Sequence, residues 1–360
     1  MTESTPLSLP EIGVEQIALL ERLSNAVAVS GDEGEVRAIV LDAVKPLADE
    51  CSVDALGNVL VTKRAQVENP LRVMLAAHMD EIGFMLVQDD DNGLYQFQVV
   101  GGIDTRQLPG KPVWVGRKHI PGVIGAKPIH LQEAGESGRT IPLDALRIDV
   151  GPGNGGKVKP GDRATFATSF QQIGPSLVGK ALDDRLGVAT LIELLKHAPG
   201  NVELLLAFTV QEEVGLRGAR VAGYAFNPDL AIAVDSTPAM DMPMWDGSEN
   251  NRYNTRLDAG PAIYIADSST LADPRLVRHL AGTGDRFGIP YQFRQPGGGG
   301  TDAGAIHTRR AGIPSVSVSV PGRYAHTAVL VTRFNDWKNT LHLLHAAIQT
   351  MTPALLSELR

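Results

Sequence analysis

Five clusters of reactive side chains punctuate the sequence: His78-Met-Asp80-Glu81, Asp183-Asp184-Arg185, Gln211-Glu212-Glu213, Asp235 and His326. Asp183-Asp184 opens a helical segment, and the others follow apolar runs that read as strands. In open α/β sheets, sites form outside the carboxyl ends of the strands, so clusters placed there can converge on one crevice. Two imidazoles with three or more carboxylates, and no thiolate, make a nitrogen–oxygen donor set suited to zinc, cobalt or manganese. A pair of ions roughly 3.5–4 Å apart needs one shared carboxylate and terminal ligands on each ion. Asp183 can be shared, His78 and Asp235 can complete one ion, and Glu213 with His326 the other. Glu212, adjacent to a ligand, is then free to act as general base and later as general acid. Asp80, two residues past His78, can accept the proton of the second ring nitrogen and fix the tautomer.

Each cluster alone has an ordinary reading. His78 could be a core histidine, Glu212-Glu213 a solvated pair, Asp183-Asp184 a helix cap, Asp235 a turn residue and His326 a loop histidine. Their joint occurrence at element ends favours ligation. His307, five residues after Asp302, is the rival ligand, and His119 and His130 read as ordinary. Gly151 to Lys157 imitates a phosphate-binding loop, but Val158 stands where Ser or Thr is required and Lys159-Pro160-Gly161 follows where a helix should start. There is no G-x-S-x-G elbow and no H-E-x-x-H helix, and Cys51 shows no activating neighbours.

The stretches Ala77-His-Met-Asp-Glu-Ile-Gly-Phe84, Asp183-Asp-Arg185, Val210-Gln-Glu-Glu-Val-Gly-Leu-Arg-Gly-Ala219, Val234-Asp-Ser-Thr237, Gly300-Thr-Asp-Ala303 and Arg323-Tyr-Ala-His-Thr327 resemble the signature blocks of the tetrahedral (TET) aminopeptidases, also called glutamyl or deblocking aminopeptidases, some of them labelled cellulases. The blocks come in the family's order and cover nearly the whole chain. Val123-Ile-Gly-Ala-Lys-Pro-Ile-His130 is family-like too. The resemblance implies a dinuclear metallopeptidase that removes N-terminal residues from short peptides. It also implies dimers, formed through an inserted β domain, that assemble into a hollow dodecamer. The family pattern agrees with His78, Asp183, Glu213, Asp235 and His326 as ligands of two divalent ions, Zn²⁺ or Co²⁺ first and Mn²⁺ next, with Glu212 and Asp80 as catalytic residues. Two segments depart from the pattern: Gly151-Pro-Gly-Asn-Gly-Gly156 and Met240-Asp-Met-Pro-Met-Trp245.

The elements that must hold these residues are readable by period. Helices are expected over Glu15 to Leu23, from a capping box at Ser30-Gly-Asp-Glu33 onward, and over Asp184 to His197, Leu216 to Phe226, Pro274 to Arg286, Asp302 to Arg309 and Asp336 to Met351. Strands are expected within Cys51 to Lys63 and over Val73 to Ala77, Val202 to Val210, Leu230 to Val234 and Pro314 to Val320. Between about Glu81 and Ser169 the texture changes to short β-like runs rich in Gly and Pro. The expected fold is α/β, a mostly parallel central sheet with helices on both faces, interrupted by an inserted all-β domain of PDZ-like or barrel-like type. Residues 1–80 and 173–360 would form the catalytic domain, and 81–172 the insertion, which the resemblance makes the dimerisation domain. The loops around Gly298 to Asp302 and Pro321 to Tyr324 would line the substrate pocket, with Arg323 and Tyr324 as stabilisers of substrate or oxyanion.

The bulk composition is compatible with this reading and excludes others. With 33 Lys and Arg against 41 Asp and Glu, the net charge is −8, and no basic run tracks a nucleic acid. The one cysteine precludes an internal disulfide framework and fits a reducing cytoplasm. Met1 to Pro10 lacks the pattern of a secretory signal, and no apolar run is long enough for a bilayer span. A related dinuclear carboxypeptidase or N-acyl amino acid deacylase is the alternative function. A glycoside hydrolase needs two carboxylates flanking a sugar, which the histidine–carboxylate set disfavours.

Overall fold

Period-two alternation builds the centre of the molecule. In the strand Leu71–His78, Val73, Leu75 and Ala77 face one side of the sheet while Met74 and Ala76 face the other. The strand Val202–Thr209 splits in the same way, with Leu204, Leu206 and Phe208 opposed to Leu205 and Ala207. Strands buried on both faces need helices on both faces. The larger side packs against Val14–Asn25, Leu182–Lys196, Pro274–Phe287 and Phe334–Thr350, and the smaller, alanine-rich side against Arg217–Phe226 and Asp302–Ile306. This computed structural model describes residues 8–132, 135, 138–248 and 254–359. Most of the N-terminal stretch read for a signal lies outside them.

The sheet has eleven strands. At its middle Val202–Thr209, Leu71–His78, Leu230–Pro238 and Ser315–Arg323 run parallel in that order. Antiparallel strands flank them: Glu50–Val53 and Val59–Lys63 on one side, and Leu330–Arg333, Ser176–Gly179 and Gln171–Ile173 on the other. Two short strands, Ala262–Tyr264 and Gln292–Arg294, pair with each other, and the first also pairs with Ser315–Arg323. The fold class is therefore the expected one.

The segment between the strands ending at His78 and beginning at Gln171 closes into a six-stranded antiparallel barrel. Its strands run from Gly83–Asp89 to Arg163–Phe166. Phe84 centres its core, edge-on to Phe97 at 5.3 Å and to Phe166 at 5.2 Å between ring centroids. Gln171–Ile173, which straddles the end of the expected 81–172 insertion, pairs in the large sheet. Barrel and sheet are joined by a buried ionic knot. Glu81 accepts from Lys180 at 2.9 and 3.0 Å and from Thr165 at 2.7 Å, with Arg185 at 3.5 Å. Burial alone would raise the Glu81 carboxyl, but Lys180 and Arg185 outweigh it and hold it below its ordinary value.

Two local expectations need correction. Ser30 does not cap the second helix, which runs Gly34–Val44 behind Glu33. The Ser30 hydroxyl donates instead to Asp80 at 2.6 Å, a partner fifty residues away. The helix expected over Asp302 to Arg309 is the short Asp302–Ile306, ended before the glycine turn at Gly312.

Candidate metal centre

The four parallel strands deliver their ends to one crevice. His78 ends its strand and is paired in register with Thr209, after which Gln211 turns the chain at a positive φ of 55° and presents Glu212 and Glu213. Asp235 lies in the neighbouring strand, and His326 follows the next one at a φ of 57°. Asp183 comes from the start of the helix Leu182–Lys196, and the peptide bond between Asp183 and Asp184 is cis. These six line a cavity of about 660 Å³.

Asp183 lies between the two imidazoles. Its Oδ1 is 3.3 Å from His78 Nε2, and its Oδ2 is 3.6 Å from His326 Nε2. His78 Nε2 also lies 3.7 Å from Asp235, and His326 Nε2 lies 3.7 Å from Glu213. Two donor groups of metal-holding type overlap here among the described residues, His78 with Asp183 and Glu213, and His78 with Asp184 and Asp235. Asp184 is fully buried, and its oxygens accept from the backbone N–H of His78 at 3.2 Å and of Gly187 at 3.0 Å. Asp183 lines the cavity, and Asp184 is not among the lining residues.

The electrostatics are those of crowded carboxylates short of cations. Burial drives the Glu213 carboxyl up to about 8, with repulsion from Asp183 adding to it. Burial likewise lifts Asp235 to about 6 and Asp302 to about 7. Glu212 is pushed well above the carboxylate range, chiefly by burial, with Asp235, Asp302 and Glu213 adding repulsion. Burial opposes the charged form of both imidazoles, but the facing carboxylates outweigh it and raise His78 and His326. Asp183 is held down at about 2, the imidazoles overcoming its burial. A buried set of this kind fits divalent cations, which would replace the missing positive charge.

Asp80 acts differently from the expectation. His78 Nδ1 meets the backbone carbonyl of Asp80 at 3.1 Å, while the Asp80 carboxylate is 3.7 Å away. That carboxylate, fully buried, accepts from the N–H of Glu212 at 3.0 Å and of Glu213 at 3.2 Å. The other residues singled out from sequence fall elsewhere. His307 bonds the Ala303 carbonyl and lines a separate cavity with Leu271 and Pro314. Arg323 forms a two-pronged pair with Asp241 at 2.7 and 3.0 Å, so the unusual Met240 to Trp245 stretch anchors it. Neither Arg323 nor Tyr324 lines the cavity, whereas Gly298, Gly299 and Gly300 do. Gly151 to Lys157 forms turns and a short 3-10 segment in the barrel. Sequence reasoning missed Tyr264 and Arg294, both cavity-lining and both on three-residue strands.

A sequence model of the M42 glutamyl aminopeptidase family matches residues 57–343. A chain from Acetivibrio thermocellus is 36% identical over 92% of this chain and 97% of its own length. A glutamyl aminopeptidase of Lactococcus lactis is 31% identical over 95% of this chain and 98% of its own. A lysyl aminopeptidase of Pyrococcus furiosus is 30% identical over 93% and 97%. Among solved structures, an aminopeptidase from Desulfurococcus kamchatkensis superposes with a TM-score of 0.89 at 34% identity, covering 95% of this chain and 96% of that one. The TET1 peptidase of Pyrococcus horikoshii, described as assembling into a tetrahedron or a large octahedral shell, gives 0.82 at 33% identity, covering 93% and 100%. A Thermotoga maritima structure described as an endoglucanase gives 0.75 at 31% identity, covering 92% and 96%.

Proposed function

This chain belongs to the M42 glutamyl aminopeptidase family and is a metallo-aminopeptidase, and from that premise we propose that it holds two divalent ions bridged by Asp183 and uses Glu212 to move the proton. His78 and Asp235 would hold one ion, and Glu213 and His326 the other. The observation that carries this reading is the division of Asp183, one oxygen toward each imidazole. Zinc or cobalt, then manganese, suits the nitrogen–oxygen donors. When bound, such ions supply Lewis-acid chemistry, acidifying water and polarising a carbonyl.

The chain's own residues do the rest. Glu212 takes a proton from the attacking water at its carboxylate and hands it to the leaving amine. Its raised affinity for protons suits a group that must both accept and release one. Asp80 holds the backbone of Glu212 and Glu213 together, fixing which carboxylate faces the ligands and which the water. The acidic crevice attracts the N-terminal ammonium of a short peptide. Self-association through the barrel into dimers and then a dodecamer draws support from the assemblies described for the TET1 relative. Among the described residues no helix is long and apolar enough to cross a membrane, and a cytoplasmic site of action is the matching proposal.

The test is elemental analysis of metal-saturated protein beside turnover of aminoacyl anilides and N-acetyl amino acids. Two ions per chain and anilide cleavage are expected. Full activity at a single ion would sink the bridged pair. Preference for the N-acetyl substrates would instead favour a deacylase.

A further inference from the structure

A second cavity, of about 490 Å³, lies where the barrel meets the loop that precedes the helix Gly34–Val44, and its lining shares no residue with that of the metal centre. Five cationic side chains line it: Arg117, Lys118, Lys157, Lys159 and Arg163. They come from separate places in the chain. Arg117 and Lys118 sit in the turn between the strands Pro112–Val115 and Ile120–Gly125. Lys157 ends the 3-10 segment Gly155–Lys157, Lys159 follows it, and Arg163 opens the strand Arg163–Phe166. Two carboxylates, Asp32 and Asp162, share the wall, which leaves a surplus of three positive charges in a chain whose net charge is −8. Like charges gathered in one concavity repel each other and raise the local concentration of anions.

Both acids are already engaged. Asp32 pairs with Arg117 at 2.8 Å, and Asp162 accepts from the backbone N–H of Lys159 at 3.0 Å. Among the described residues no carboxylate pairs with Lys118, Lys157, Lys159 or Arg163. Arg163 donates from Nε to the Ser30 carbonyl at 3.4 Å and from Nη1 to the Gly161 carbonyl at 3.0 Å, so three of its five N–H groups are left for a ligand. Lys157 Nζ is steadied by Asn154 Oδ1 at 2.7 Å. The stretch Gly151 to Lys157, which imitates a phosphate-binding loop without the helix such a loop needs, therefore still delivers its lysine to an anion-attracting wall. A single carboxylate would match one surplus charge. A linear chain of phosphoryl groups carries several, and its oxygens can meet cations on separate segments. Guanidinium forks and ammonium point charges are the side-chain groups suited to phosphate oxygens.

We propose that this second cavity binds a chain of phosphoryl groups, either free polyphosphate or the polyphosphate of a nucleotide, at a site separate from the metal centre. The experiment is equilibrium dialysis of the metal-loaded enzyme at low salt against inorganic phosphate, tripolyphosphate, ATP and a short oligothymidylate. The wild type is expected to bind tripolyphosphate at least about tenfold more tightly than inorganic phosphate, because more charge-assisted contacts form. Lys118→Glu combined with Lys159→Glu should weaken tripolyphosphate binding by at least about tenfold. Lys45→Glu combined with Arg220→Glu changes the net charge equally at residues outside the cavity lining, and should leave the Kd within about twofold, since exposed charges more than a Debye length apart are screened. Polyphosphate drawn to the metal centre would bind both double variants alike, so the contrast separates the two sites. Anilide turnover should persist in both. A Kd for ATP no tighter than that for tripolyphosphate assigns free polyphosphate as the ligand, and a tighter one assigns the nucleotide. Should the cavity double variant fail to fold, Lys157→Gln replaces it, with an expected weakening of about threefold or more. Unchanged binding in the cavity variant, or an equal loss in both double variants, overturns the proposal. Oligothymidylate bound more tightly than tripolyphosphate and ATP overturns it in favour of a nucleic-acid surface.

Discussion

His326 Nδ1 meets the backbone carbonyl of Gly102 at 2.8 Å, so a loop of the barrel orients an imidazole of the catalytic crevice. Gly102 itself lines the cavity. A neutral imidazole that donates from one nitrogen presents the other as a ligand lone pair, and such outer partners fix both tautomer and ring direction. The barrel thus contributes a residue to the cavity wall.

A methyl group at Gly102 tests this. A Cβ there would sit 3.1 Å from His326 Nδ1 and 3.6 Å from Cε1, so the ring must shift. Gly102→Ala is expected to weaken metal affinity by about 10–100-fold, the usual effect of disturbing an outer partner. The melting temperature of the metal-free protein should barely move. Metal titration read beside thermal unfolding checks both, and an unaltered affinity would deny the contact any role.

Asp80 gives a second prediction. Its carboxylate answers two backbone N–H groups and the Ser30 hydroxyl inside the protein. Asp80→Ala leaves those N–H groups without their acceptor, at a cost of about 1–3 kcal/mol each when water cannot enter. The Glu212–Glu213 backbone should then wander. Stability should fall, and kcat should drop far more than KM rises, because the substrate pocket remains. Ser30→Ala removes one of the three bonds and should cost about 1 kcal/mol with kcat nearly kept. Denaturant unfolding and steady-state kinetics of both variants separate positioning from mere loss of stability.

The same contacts show what could be read in advance and what could not. The parallel strands were legible because runs such as Leu204 to Phe208 are apolar on both faces. The ligand-type residues were legible because they stand directly at the ends of those runs. Ser30 looked like a cap because caps are local, yet its hydroxyl is taken by Asp80 across the fold. Asp80 looked like a partner of His78 through its side chain, but the backbone carbonyl makes that contact. Arg294 was missed because a three-residue strand has no period to detect, and because its burial is a property of the tertiary structure.

The carboxylate crowding predicts how metal-free protein responds to pH. Burial places Asp235 at about 6, Asp302 at about 7 and Glu213 at about 8, all above the ordinary carboxylate range. His78 and His326 are raised as well. Between about pH 4 and 8 these groups keep in the folded state protons that the unfolded chain has released, so their contribution to stability falls as pH rises. Asp183, held at about 2, opposes this only in acid below its unfolded value. Divalent ions bind the deprotonated donors and remove the repulsion. The rise in melting temperature on adding saturating zinc or manganese should therefore grow from pH 5.5 to pH 8. Differential scanning calorimetry at several pH values checks it, and a metal increment that shrinks with pH would contradict the crowding.

Glu212 and Glu213 are adjacent, yet their surroundings assign them different work. Glu213 approaches His326 at 3.7 Å and so stands with the proposed ligands. Glu212 lines the same cavity, and neither His78 nor His326 lies within ion-pairing distance of its carboxylate. Burial and the charges of Asp235, Asp302 and Glu213 raise its proton affinity, as a group that cycles a proton requires. Glu212→Gln keeps the shape and every proposed ligand while removing the proton acceptor. It should lower kcat by about 10²–10⁴-fold, with two ions still bound and the unfolding temperature nearly unchanged. Glu213→Gln should instead drop the stoichiometry toward one ion, and its activity should recover in part at high metal concentration. The two variants are distinguished by kcat measured beside metal content. If Glu212→Gln turns over normally, or loses activity only in proportion to lost metal, Glu212 is a ligand or a bystander and the proton must move through another group.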